Sequence, residues 1–265
     1  MWMSEKGNRW KMKKKKSLQD RYDALIQHFK KVCLQWGWSD DESKWNTLSL
    51  GSAIFNTDLE KVKIEQIKYI VVADNPGQNE RDNAQYLFDN MDKKTSGYIA
   101  HRIFDKIFPK ESYLVLNKCP LYTNVSSGLG DVDQSRLEES MKYMAKLIYN
   151  INCINPEIHV FIFGINGLFD KEEKKVNNCL WTPFFDCLVD LYKGNPNFPT
   201  LVKHFSRQHI FDDFIVDSDN RIHIKPRLRL DDLEKCNTES FLQELKELEY
   251  SNYLKTWEHK TRRGR

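Results

Sequence analysis

No apolar run in the 265 residues approaches the ~20 that a membrane-spanning helix needs. The basic N-terminus, MWMSEKGNRWKMKKKKSLQD, has no apolar stretch behind its charges and so lacks the middle region of a secretory signal. No C-x-x-C pair occurs among Cys33, Cys119, Cys153, Cys179, Cys187 and Cys236, which read as reduced, half-buried thiols. Neither Cys179 with Cys187 nor His204 with His209 has the spacing of a metal site, so no metal and no cofactor is expected. A G-x-S-x-G elbow, a G-x-x-x-x-G-K-[ST] phosphate loop and a dinucleotide fingerprint are all missing, which argues against a serine hydrolase, a P-loop NTPase and a nicotinamide enzyme. Internal repeats are missing too. These absences together describe a soluble, intracellular protein, cytoplasmic in a bacterium or nuclear in a eukaryote.

What is present is enough apolar material for a substantial core. Hydrophobic residues make up 40% of the chain and aromatics 12%, which suits one ordered domain with elaborations. Charge is unevenly placed. The net +3 combines +6 over residues 1–16 and +4 over residues 260–265, which leaves the body between them at −7. The organisation expected is a basic N-terminal tail (1–16), a single domain (17–258) and a basic C-terminal tail (259–265). Basic ends suit contact with a polyanion whose strength falls with salt, and equally suit a solubilising role.

Short apolar runs alternate with helical patterns. IKYIVVA (67–73), SYLVLN (112–117), IHVFIFG (158–164) and PTLVKH (199–204) read as strands buried on both faces. YIAHRIFDKIF (98–108), a stripe of Leu137, Met141, Met144, Ile148 and Ile151, and TPFFDCLVDLY (182–192) read as helices, the second opened by a capping box from Ser135 to Glu138. Residues 17–36 and 240–257 read as flanking amphipathic helices, and 214–226 as a hairpin turning near Asp219 and Asn220. The fold class expected is α/β, a three-layer α/β/α sandwich around a central, mainly parallel four-stranded sheet.

In such a sheet the C-terminal strand ends share one edge, where ligands bind. Asp74 and Asn75, Asn117, Gly164 and Asn166, and His204 and Ser206 follow successive strands. They make a polar pocket of amides, a carboxylate, an imidazole and a hydroxyl, with no evident nucleophile.

ADNPG, VLNKCPLYT, VFIFG and LVKHFSRQH, in that order at four strand ends, resemble the motifs of the uracil-DNA glycosylase superfamily over residues 65–212. ADNPG is nearest the G-x-N-P-G form of the mismatch-specific and single-strand-selective branches. The resemblance implies a monofunctional, monomeric DNA repair enzyme that hydrolyses the N-glycosidic bond of uracil or a related deaminated base flipped out of DNA. Under it, Asn75 and His204 are the catalytic residues. Asn75 orients the water, and His204 hydrogen-bonds the base carbonyl to steady the anionic leaving group. Asn117 pairs with the edge of the base. Phe88, with Tyr86 as fallback, is the aromatic on which it stacks. Asp74 and Gly77 border the substrate, Gly77 by letting the backbone approach closely. Ser206 contacts a DNA phosphate, and Arg207 and Gln208 fall where the family inserts a wedge. Ala73 stands where the motif usually has glycine, and Phe205 where it has proline.

Each residue also has a plainer reading. Asp74 suits a turn cap, Asn117 a strand end, His204 a merely structural strand-end histidine, the polar 206–208 segment ordinary surface, and Phe88 core packing. Two other functions stay open. One is a nucleic-acid-binding protein of this fold without catalysis. The other is a small-molecule hydrolase or nucleotide binder that uses Asp74, Glu80 or Asp82 as base.

Overall fold

A computed structural model describes residues 16–88, 111–123, 131–164, 180–193, 199–202, 214–216 and 222–224, with the single positions 97, 100, 101, 104, 108, 129 and 195. The chain is mixed α/β and is organised by an open parallel sheet. Strand β1 (Tyr69–Ala73) lies between β2 (Tyr113–Asn117) and β3 (His159–Phe163), all parallel, in register Ala73↔Asn117 and Tyr69↔His159. Short β4 (Thr200–Val202) adds to β3 in the same direction, with Phe163 beside Val202. Parallel pairing requires crossovers, and the helical segments between the strands supply them.

Alternation along the strands sends side chains to two faces. Ile70, Val72, Leu114, Leu116, Val160 and Ile162 join the main core. On the other face the rings of Tyr69, Tyr113, Phe161 and Phe163 meet Phe104 and Phe108, with centroids 4.6–6.2 Å apart. Burial on both sides is why these strands read as near-continuous apolar runs.

Helix α1 (Leu18–Gln35) starts with a reciprocal capping box. The Asp20 N–H donates to Ser17 Oγ and the Ser17 N–H to Asp20 Oδ2, each at 3.0 Å. Its buried stripe is Tyr22, Ile26, Phe29 and Cys33, at helical spacing. Helix α2 (Gln78–Asn83) is a short turn after β1. Helix α3 (Gln134–Ile154) buries Leu137, Met141, Met144, Ile148 and Ile151, the expected stripe. Its start differs from expectation. Asp133 is the N-cap, taking the Arg136 N–H at 2.9 Å, and Ser135 lies inside the helix. An aspartate two residues ahead of the serine reaches the first free N–H groups, so the Ser135–Glu138 box does not form.

Helix α4 (Thr182–Leu191) packs along α3 and buries Phe184, Phe185, Leu188 and Val189. Strands β5 (Phe214–Val216) and β6 (Ile222–Ile224) pair antiparallel as the expected hairpin. Positions 100, 101 and 104 of the expected 98–108 helix are helical, as is Gly97 just before it, while the expected 240–257 helix lies outside the described residues. Among the described residues no helix is long and apolar enough to cross a membrane.

Candidate functional site at the strand ends

Two loops leave the C-terminal edge side by side. The one after β2 runs alongside the one after β1 in the same direction. The N–H of Lys118 donates to Ala73 O at 2.8 Å, that of Cys119 to Asp74 O at 3.3 Å and that of Thr123 to Pro76 O at 3.3 Å. The outer side of the β2 loop is held in turn by Ile54 N–H on Pro120 O and Gly51 N–H on Tyr122 O, each at 2.8 Å. Asp74, Asn75, Asn117 and Thr123 are therefore set by backbone hydrogen bonds rather than left on free loops.

Register places Asp74, one residue past Ala73, beside Lys118, one residue past Asn117. Their side chains form an ion pair. The lysine is fully buried and the aspartate side chain is 21% exposed. The Lys118 ammonium also donates to Gly164 O at 3.4 Å and lies 4.8 Å from the centre of the Trp181 ring. Gly164 follows β3 at φ +85°, a conformation that disfavours a side chain. One ammonium thus ties together the ends of β1, β2 and β3. Its neighbour Cys119 is buried, and burial pushes its thiol up to about 11 despite hydrogen bonds with the Ser140 hydroxyl and from the Leu121 N–H, so it is no thiolate.

Asn75 is half-buried. Its Nδ2 donates to Thr123 Oγ1 at 2.9 Å, with Pro76 O at 3.3 Å and Leu121 O at 3.5 Å. Its Oδ1 is buried and has no hydrogen-bond partner. Asn117, 2% exposed, also holds its Oδ1 buried and unpartnered. Buried polar atoms are nearly always satisfied, so the orphaned oxygens of Asn117, the last residue of β2, and of Asn75, two residues past β1, can accept from a ligand that donates hydrogen bonds.

Gly77 caps α2 in extended backbone at φ −94°. A Cβ there would stand 3.1 Å from Glu80 Oε2, which accepts the Gly77 N–H at 3.0 Å, so the space beside this glycine is used by the chain's own carboxylate. Burial raises the Glu80 pKa, against the opposing pull of the N–H groups of Glu80 and Gly77. Phe88 is half-buried after Leu87, whose φ is +51°, and its carbonyl oxygen lies 2.0 Å from where a Cβ on residue 97 would be, so only glycine fits there. Tyr86 is a core residue, 1% exposed, with its hydroxyl donating to Ile54 O at 2.6 Å, and so is not the alternative stacking surface.

His204, Ser206, Arg207 and Gln208 lie outside the described residues; β4, which precedes them, points toward the same edge. Asn75 and Asn117 are brought to that edge together, and Asp74 and Gly77 border it. Lys118 and Thr123 were not legible as site residues. The one signal for Lys118 was a pair of opposite charges just past two strand ends. No family model matches the chain, and no curated protein matches it.

Proposed function

We propose that this protein is a DNA glycosylase of the uracil-DNA glycosylase type, with that superfamily's four-stranded sheet between two helical layers, acting on uracil or a related deaminated base flipped from DNA. The observation that carries this reading is the orphaned Asn117 Oδ1, 2% exposed at a parallel-sheet edge, with a second orphaned oxygen on Asn75 in the loop after the neighbouring strand. An acceptor in that state matches the ring N–H of a lactam base such as uracil.

In the reaction the C1′–N bond breaks and its electron pair leaves with the base. Water forms the new C1′–O bond, and its released proton ends on the departed base by way of solvent. Asn75 orients that water through Oδ1. An amide is not a proton acceptor at neutral pH, so charge stabilisation at the leaving base carries most of the acceleration, which is the role given to His204. Phe88 is the stacking face. Ser206, Arg207 and Gln208 hold the opened strand, DNA is the partner, and the charge of the basic tails suits its phosphates.

The test is release of base from single- and double-stranded oligonucleotides carrying uracil, hypoxanthine or xanthine. Release that disappears in Asn117→Ala and in His204→Ala supports the reading. Full release by both variants ends it.

A second reading, DNA binding without base release, is favoured by one observation: the carboxylate at the end of β1, Asp74, is occupied by Lys118. It predicts salt-sensitive binding with no abasic product from any of these strands.

A further inference from the structure

Asn75 matters to the reaction only if its oxygen, and not its nitrogen, faces the water. The neighbours decide this. Around Nδ2 stand the hydroxyl of Thr123 and the carbonyl oxygens of Pro76 and Leu121. Turning the amide over would set Oδ1 against two carbonyl oxygens that cannot donate, and would put the nitrogen where Oδ1 now has no partner. The two carbonyl contacts are long, at 3.3 and 3.5 Å, whereas the Thr123 contact is 2.9 Å. Distances near the usual N–H···O mode mark the strong bond, so Thr123 holds the amide and the carbonyls guard its sense. Thr123 itself is 2% exposed and pinned by its own N–H on Pro76 O at 3.3 Å, the same carbonyl that receives Asn75 Nδ2.

We propose that Thr123 is a positioning residue for hydrolysis, fixing the Asn75 amide so that its oxygen is presented to the attacking water. The proposal rests on the glycosylase reading and adds to it a residue that acts through Asn75 without touching substrate. A misaligned water lowers the rate of the chemical step while leaving base and strand recognition intact.

The experiment is single-turnover release of uracil by the full chain, comparing Thr123→Val, which keeps the shape and deletes the hydroxyl, with Thr123→Ser, which keeps the hydroxyl. Thr123→Val is expected to slow the step about tenfold, the effect of one well-placed hydrogen bond, with the KM for the oligonucleotide unchanged. Thr123→Ser stays near the parent rate. Adding Asn75→Ala to Thr123→Val is expected to give no further loss beyond Asn75→Ala alone, because both act through one amide. Thr123→Ala repeats the deletion should the valine variant not fold.

In the protein without substrate, the side-chain NH2 signal of Asn75, identified by its loss in Asn75→Ala, shifts in Thr123→Val and not in Thr123→Ser. An active parent with Thr123→Val at the same rate, or losses that add fully with Asn75→Ala, overturns this proposal alone. A parent that releases no base from any oligonucleotide removes the glycosylase reading and this proposal together.

Discussion

Lys118 and Asp74 form an ion pair across the ends of β2 and β1, and the two partners are unequally covered: the lysine is fully buried and the aspartate side chain is 21% exposed. That asymmetry makes their removal unequal. Asp74→Ala removes the carboxylate from a buried ammonium whose neighbours Gly164 O and the Trp181 ring are neutral, a kind of change that costs about 3–5 kcal/mol in buried pairs. Lys118→Met leaves a carboxylate with access to water and fills the same space with apolar atoms, so its cost is smaller. Urea denaturation should rank Asp74→Ala as the less stable of the two, and the opposite ranking would show that the lysine is not held in low dielectric.

Asn117 carries a different kind of strain. A buried acceptor without a donor costs roughly 1–3 kcal/mol, and a ligand that donates to it removes that penalty. Asn117→Leu is therefore expected to raise the urea midpoint of the free protein and, under the glycosylase proposal, to abolish base release, because that proposal has the amide bind the base where leucine only packs. A loss of stability in Asn117→Leu would mean that the oxygen is satisfied in solution and that its orphaned state is no guide to a ligand.

The start of α3 offers a sharper check on local chemistry. Asp133 Oδ1 takes the Arg136 N–H, while Ser135 sits inside the helix. Asp133→Ala should cost about 1 kcal/mol, the ordinary worth of an N-cap, and Ser135→Ala close to nothing. Thermal melts of the two single variants would separate them, and equal losses would restore the serine as cap.

Strand positions were legible because the sheet packs on both faces, which turns Tyr69–Ala73, Tyr113–Asn117 and His159–Phe163 into near-continuous apolar runs. The α3 stripe was legible for the matching reason, a one-sided helix with its apolar residues three and four apart. The cap was not, since Ser135 and Glu138 satisfy the box pattern and only the backbone reveals that the helix has already begun. In the site, Asn75 and Asn117 could be read from their places after the strands. Lys118 could not, because a lysine beyond an apolar run reads as exposed until the Ala73↔Asn117 register sets it against Asp74. Thr123 was hidden for a related reason. Its contact with Asn75 spans 48 positions and exists only because the β2 loop runs alongside the β1 loop.

Glu80 supplies a prediction with a sign. Burial raises its pKa above the ordinary 4.5, so the folded protein holds this proton more tightly than the unfolded chain. Its contribution favours folding below the ordinary carboxyl value and is lost as pH rises through the higher folded value. Glu80→Gln keeps an oxygen for the Gly77 N–H, which Glu80 Oε2 now accepts at 3.0 Å, and carries no charge to desolvate. Urea midpoints measured from about pH 4 to about pH 8 should show the glutamine variant gaining on the parent as pH rises, whereas a gap that widens toward acid would contradict the raised value. The same variant separates two chemistries. If Asn75 orients the water, base release survives Glu80→Gln with at most a modest loss; if Glu80 accepts the proton, release fails while Asn75→Ala is tolerated, because a carboxylate base and an amide water-holder fail in opposite variants.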